Sequence, residues 1–331
     1  MTGNTGNNTS NTSAIVRAQV YSEIILDEIV GGYLPEGLHR DVSDFQDGDT
    51  LYIPTFGEVV LRDIVEDKDI PVDAVDTGQI TLTVSEYVGA GNYLTDKLKQ
   101  DSYKMREFEA TLVPKHLRAI KQRYETDLLA TANDQTLAAT NAINSFAHRF
   151  IASGTNQVIT PDDFIYAKLS MDKAELPDEG RIFICDPLVE ATLNSLTNLV
   201  NVSNNPQFEG IVNTGFGKNM RFLKNIMGYD IYISNRLPRV TSEAIDASGT
   251  ASLVGAPSAS SSVTSGIVNQ FMCVADDMVK PFMGAWREMP VTEGHRNVRK
   301  KRDEFYTTAR WGFGLQRSQS IVSLLTSALH Y

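Results

Sequence analysis

The segment from Pro114 to Asn141 constrains this chain most. Leu117, Ile120, Tyr124 and Leu128 recur at three- and four-residue intervals, with Lys115, Arg118, Lys121, Arg123 and Glu125 between them. One apolar stripe beside one charged face defines an amphipathic helix. Pro114 has no N–H and a fixed φ, which suits a first helical turn, so the spacing predicts a helix that starts there. A run of about 27 residues at about 1.5 Å each makes a rod of roughly 40 Å, long beside the usual 11–12 residues. Such a rod needs a large apolar surface to lie on, and the rest of the chain must supply it.

Residues 1–13 carry no charge and almost no apolar side chain, and are expected to form a loose tail. A helix is expected over Ala14–Tyr33, where Val16, Val20, Ile24, Leu26 and Val30 share one side, until Gly31, Gly32 and Pro35 stop it. Short strands are expected at Thr50–Pro54 and Glu58–Leu61, and a longer alternating one at Gln79–Val88. Between them the chain is acidic: from Glu58 to Asp76 seven acids face only Arg62 and Lys68, a net of -5. A two-stranded hairpin is marginal alone in water, so a long one with an acidic tip is expected to lean on a neighbour or stay solvated. A further helix over Asp101–Leu112 leads up to Pro114.

Downstream, Thr160 and Pro161 form a helix start, with Thr160 as cap and Pro161 in the first turn. Arg181–Cys185 is continuously apolar after its arginine, the pattern of a strand buried on both faces. Helix is expected over Pro187–Val200, a second buried strand over Tyr229–Ser234 and a third over Gln270–Ala275. Residues 241–267, rich in Ser, Ala, Thr and Gly, are expected to be a loop or weak hairpin of low core value. Residues 158–283 therefore form one compact α/β module. Beyond it lies the densest basic cluster: Arg287 to Arg302 holds six cations against Glu288 and Glu293, a net of +4. Phe305–Leu315 is expected to be extended, and Ser320–Leu325 a closing strand or helix.

Several functional classes lose support. A formal net charge of -11 argues against a nucleic-acid-coating protein. Neither an apolar run approaching 18 residues nor a charged-then-apolar leader is present, so no membrane partner and no secretion are expected. Cys185 and Cys273 sit in apolar stretches and are expected to be buried thiols. His39, His116, His148, His295 and His330 are scattered without metal-ligand spacing. Gly215–Lys218 lacks the upstream glycine and following Ser or Thr of a phosphate loop, and no nucleophile elbow occurs. No enzyme, no catalytic residue, no cofactor and no metal are expected. The contrast between an acidic hairpin and a basic cluster points instead to complementary patches, which between subunits would set orientation and register. The basic cluster also admits a nucleic-acid contact, with Phe305 and Tyr306 for stacking.

The order of parts resembles the major capsid protein of tailed bacteriophages, the Hong Kong ninety-seven fold, closest to podovirus-type members. The residues that carry the resemblance are Gly180–Pro187, similar to the strand-then-proline element opening the axial domain, Gly228–Pro238, similar to the second axial strand, and Gly312–Arg317, similar to the closing peripheral strand. The resemblance implies an α+β fold with an N-terminal arm (1–48), an extended hairpin loop (49–95), a peripheral domain with a spine helix (96–157), an axial domain (158–283) and a peripheral return (284–331). It implies a non-enzymatic subunit that assembles with itself into hexamers and pentamers of an icosahedral head. The implied partners are a separate scaffolding protein, a portal and packaged double-stranded DNA, with assembly in the bacterial cytoplasm and residence in the virion. On this reading Glu66, Asp67 and Asp69 lie over a neighbouring subunit, and Arg296, Arg299, Lys300 and Arg302 make inter-subunit contacts. Lys115, Arg118, Lys121 and Arg123, four cations within nine residues, are candidates to face DNA. Covalent cross-linking from a hairpin lysine, known in some members, is not carried over, because only Lys68 lies at the tip, among acids. The alternatives are an encapsulin-like cargo shell, which shares the fold, and a soluble α/β enzyme.

Overall fold

The fold is taken from a computed structural model, which describes residues 37–44, 48–57, 77–101, 105–134, 142–143, 146–195, 225–246 and 260–330, with isolated positions between 61 and 75. The expected helix over Ala14–Tyr33 lies outside the described residues. In chain order, β1 (His39–Asp41) precedes β2 (Thr50–Phe56) and β3 (Thr77–Thr83), which pair antiparallel as the expected hairpin, Leu51 opposite Leu82 and Ile53 opposite Ile80. Then come β4 (Glu86–Thr95), α1 (Asp96–Asp101) and α2 (Met105–Ala130). The short strands β5 (Ala142–Ile143), β6 (Phe146–Ala147) and β7 (Arg149–Ile151) lead to α3 (Pro161–Lys173). They are followed by β8 (Arg181–Cys185), α4 (Pro187–Ser195), β9 (Asn225–Ile226), β10 (Tyr229–Ile233), β11 (Arg239–Asp246) and β12 (Ser260–Cys273). Two long strands, β13 (Phe282–Asn297) and β14 (Arg302–Leu315), precede β15 (Ile321–Ser327).

Two sheets organise the molecule. One has four strands in the order β1-β13-β14-β4; the other has seven, running β7-β15-β12-β8-β10-β9 with β11 paired to β12. All five residues of β8 are buried, because one face meets the aromatic core and the other meets the end of α2. On the first face Phe183 stacks on Phe271 at 4.0 Å between centroids, and Phe164 and Tyr229 meet that pair edge-on. On the second, Ile182 and Ile184 join Leu128, Leu129, Leu237 and Met272. Cys185 and Cys273 are buried free thiols, and burial pushes the Cys185 thiol well above its ordinary range. The helix start at Thr160 is present: the Asp163 carboxylate accepts from the Thr160 N–H at 2.8 Å and from the Ser153 N–H at 3.1 Å.

Three expectations change. The long helix starts at Met105, so Pro114 lies inside it, and it ends at Ala130, where a 3-10 turn over Thr131–Asp134 takes over. An interior proline removes a hydrogen bond and costs about 3 kcal/mol. The apolar stripe outweighs that cost, with Leu117, Ile120, Leu128 and Leu129 all buried. The segment 241–267, expected as a loop or weak hairpin of low core value, contributes a well-paired hairpin with buried residues: β11 and β12 pair antiparallel from Arg239–Ile267 to Asp246–Ser260. Val263 and Val268 pack with Ile151 and Leu325, while Ile267 joins Leu128, Leu129 and Met272 on the other face. The C-terminal strand, expected within the peripheral return, pairs in the seven-stranded sheet, between β12 and β7.

Candidate assembly interface

The four-stranded sheet presents one face to α2 and the other outward. Beneath the helix, a polar row crosses the interface: the Asn92 amide meets His116 Nε2, His116 Nδ1 lies 3.3 Å from Thr307 Oγ1, and Thr307 Oγ1 lies 3.0 Å from Thr292 Oγ1. Burial pushes the His116 imidazole below its ordinary value. Next to this row Tyr124 stacks on Trp286 with centroids 4.7 Å apart and meets Trp311 and Phe313 edge-on. Its hydroxyl lies 3.3 Å from His39 Nε2. The outward face carries Tyr87, Tyr93 and Tyr306, all exposed, with Gly89 and Gly91 between them on β4. The Tyr306 ring lies over Gly91, where an added Cβ would sit 2.8 Å from it.

The base of the β2–β3 hairpin is fastened to the same sheet. Leu51, Ile53, Ile80 and Leu82 pack with Val84, Met283 and Ala285. At Gly312 a Cβ would fall 2.6 Å from the Thr83 carbonyl oxygen, so only glycine permits this approach of two backbones. Away from the base the packing ends. Phe56 is 74% exposed and Leu61 94%, and Glu66 and Asp69 are exposed as well. Asp67 lies outside the described residues.

The basic cluster falls at the far end of the sheet, around the β13–β14 turn, and the structure divides it. Arg296 binds Asp96 through both terminal nitrogens, at 2.5 and 2.6 Å, and Asp303 at 2.7 Å. Lys99 also meets Asp303. The hydrogen bond from Arg296 holds the Asp96 carboxyl below its usual range. Although its partial burial acts in the opposite direction, hydrogen bonds from Lys99 and Arg296 do the same for Asp303. The Arg302 guanidinium lies over the Tyr93 ring at 4.4 Å and donates to Glu304. Glu304 also accepts from the Tyr306 hydroxyl and the Asn297 amide, and these bonds, the tyrosine's first, hold its pKa at about 2. Arg296 and Arg302 are therefore spent on carboxylates of their own chain. Arg299 and Lys300 are exposed in the turn and pair with no carboxylate among the described residues.

The four helix cations divide too. Lys115 and Arg118 are exposed on the side away from the apolar stripe, and Lys121 is half-buried. Arg123 is tied to Asp127 at 2.9 Å and Glu86 at 3.2 Å. Reading the sequence missed the partners of the basic cluster, because Asp96 stands 200 residues from Arg296. It also missed Glu125, whose buried carboxylate accepts from the Ser234 hydroxyl at 2.6 Å. The one signal for it was an acid adjoining the apolar stripe. Among the described residues no group of His, Cys, Asp and Glu could hold a metal, and no helix is long and apolar enough to cross a membrane.

Residues 77–323 match the family model described as phage capsid protein. The chain belongs to the phage capsid protein family. It is a phage major capsid protein, a structural component of the virion whose copies assemble with one another. Solved structures agree on the fold. The capsid of cyanophage P-SCSP1u is 15% identical with a TM-score of 0.61, covering 88% of this chain and 87% of that one. The mature capsid of bacteriophage PhiM1 is 13% identical with a TM-score of 0.61, covering 89% and 87%. The capsid of Ralstonia phage GP4 is 10% identical with a TM-score of 0.56, covering 88% and 87%. No curated protein matches this capsid protein.

Proposed function

We propose that this capsid protein builds hexamers and pentamers of an icosahedral head around double-stranded DNA, and that charge sets how neighbouring copies register. The observation that carries the second part is the division of the basic cluster. Arg296 and Arg302 brace the end of the sheet through Asp96, Asp303 and Glu304, and Arg299 and Lys300 stand exposed at the turn, with no carboxylate partner among the described residues. The hairpin offers the opposite charge, with Glu66 and Asp69 exposed and Asp67 between them in sequence. The apolar surface at Phe56 and Leu61 suits burial against a second copy. Exposed ion pairs contribute only about 0.2–1 kcal/mol each, so these charges choose register and orientation while apolar contact supplies adhesion.

The outer side of α2, with Lys115 and Arg118 exposed, suits non-specific contact with packaged DNA. Lys121 joins that side only in part, and Arg123 is held by its own carboxylates. The arm, hairpin, peripheral and axial divisions belong to the same proposal, with the C-terminal strand shared into the axial sheet. A scaffolding protein, a portal and assembly in the host cytoplasm complete it. Replacing Arg299 and Lys300 together by Glu is expected to leave a folded monomer and abolish shells, read by sedimentation and electron microscopy. Intact shells from that variant would contradict the charge assignment.

A further inference from the structure

The last turns of α2 lie between the two sheets, and the two flanks of the helix are fastened differently. On one flank Tyr124 sits in the aromatic cluster of the four-stranded sheet, and Asp127 accepts from Trp311 Nε1 at 3.3 Å. On the other, Leu128 and Leu129 join Ile182, Ile184 and Leu237 of the seven-stranded sheet and its loops, in a cluster that Phe282 and Leu315 at the edge of the four-stranded sheet also enter. Apolar contact is non-directional, and by itself lets a helix roll or slide. Two polar ties prevent this. The Gln270 amide donates to the Leu129 carbonyl at 2.8 Å, pinning the helix end. Roughly one turn earlier, the Glu125 carboxylate, 7% exposed, takes the Ser234 hydroxyl at 2.6 Å and Arg236 Nε at 3.3 Å. Ser234 is itself held, its N–H donating to the Cys185 carbonyl at 3.0 Å where β8 ends.

One tie is a pivot; two fix a line. Charge-assisted hydrogen bonds are short and directional, and a buried carboxylate deprived of its partners is penalised, so the Glu125 contact favours one angle over its neighbours. We infer that Glu125, through Ser234 and Arg236, is the positioning residue that sets the angle between the two sheets, and with it the curvature at which copies close a shell. The inference rests on the shell-forming reading above, since an angle within one subunit becomes a shell diameter only when many identical copies repeat it.

The test compares wild type with Glu125→Gln and Ser234→Ala, measuring far-UV circular dichroism of the soluble chain and the diameter distribution of assembled shells by electron microscopy. Gln keeps the volume and an acceptor for Ser234 but removes the charge that holds Arg236; Ala removes only a hydroxyl. Both variants are expected to fold as wild type does and to give mis-sized or open shells with a wider spread of diameters. Wild-type diameters and spread from both would overturn the inference. So would complete loss of shells with a folded subunit, which would assign Glu125 to contact between copies. Should Glu125→Gln not fold, Ser234→Ala carries the same two outcomes. Failure of the wild-type chain to form any shell would instead overturn the underlying reading.

Discussion

The two sheets bury their surfaces to different degrees. The seven-stranded sheet is covered on both faces at β8, by α3 and α4 with the Phe164–Phe183–Phe271–Tyr229 cluster on one side and the end of α2 on the other. The four-stranded sheet is covered on one face by α2 and leaves Tyr87, Tyr93 and Tyr306 exposed on the other. One region is finished within a single copy, while the other keeps surface that a lone subunit has no use for. In a capsid protein that asymmetry fits the proposed division of labour, in which the larger sheet stabilises the subunit and the smaller one, with its hairpin and basic turn, is the surface proposed to meet other copies.

The sharpest way to break that comparison is to remove one aromatic ring from each region. Phe271→Ala empties the stacked centre of the larger sheet and is expected to cost about 3–5 kcal/mol, read from urea unfolding of the soluble chain. Tyr306→Ala, on the outer face, is expected to stay within about 0.5 kcal/mol in the same measurement. Its hydroxyl serves Glu304, which keeps Arg302 and Asn297 as donors when the tyrosine is lost. Equal losses from the two variants would show that the outer face is already completed within one copy.

A smaller effect, spread over both regions, is expected from pH. His39 and His116 lie against the four-stranded sheet and His148 is buried beside the larger one; burial pushes all three below the ordinary 6.5. The unfolded chain takes up protons near 6.5 while the folded chain stays neutral to lower pH. The unfolded state therefore binds more protons in that window, and stability rises with pH across it. Unfolding free energy is expected to be level above pH 6.5 and to fall as the pH drops toward the depressed values. The lowered carboxyls of Asp96, Asp303 and Glu304 act in a separate window, where stability is lost only as the pH falls below their unfolded values. Replacing His116 by Gln should flatten part of the first slope, and an unchanged slope would show that His116 titrates alike folded and unfolded.

How much of this was legible in the sequence follows the range of the forces involved. The strand at Arg181–Cys185, the helix start at Thr160 and the existence of the hairpin are written in local pattern, but the single strand expected over Gln79–Val88 is two, β3 ending at Thr83 and β4 starting at Glu86 in another sheet. The position of Pro114 was misleading, because a helix held along a whole sheet tolerates a local penalty that an isolated helix does not. Of the strand Ser260–Cys273 only the end from Gln270 was legible, because the small polar residues up to 267 read as loop or weak hairpin. Its place as a strand comes from partners on both sides, β11 and β15, which composition does not display. The candidate contacts were legible as charge but not as pairing. Arg296 and Arg299 are alike in sequence, and only folding brings Asp96 to one of them.

That copies of this chain tile a closed shell is tested most directly by sedimentation of the purified wild-type chain, with and without a candidate scaffolding protein. Electron microscopy of the fast fraction completes the measurement. The expected result is a fast-sedimenting population of closed shells of uniform diameter. A stable monomer or dimer under every condition would contradict it.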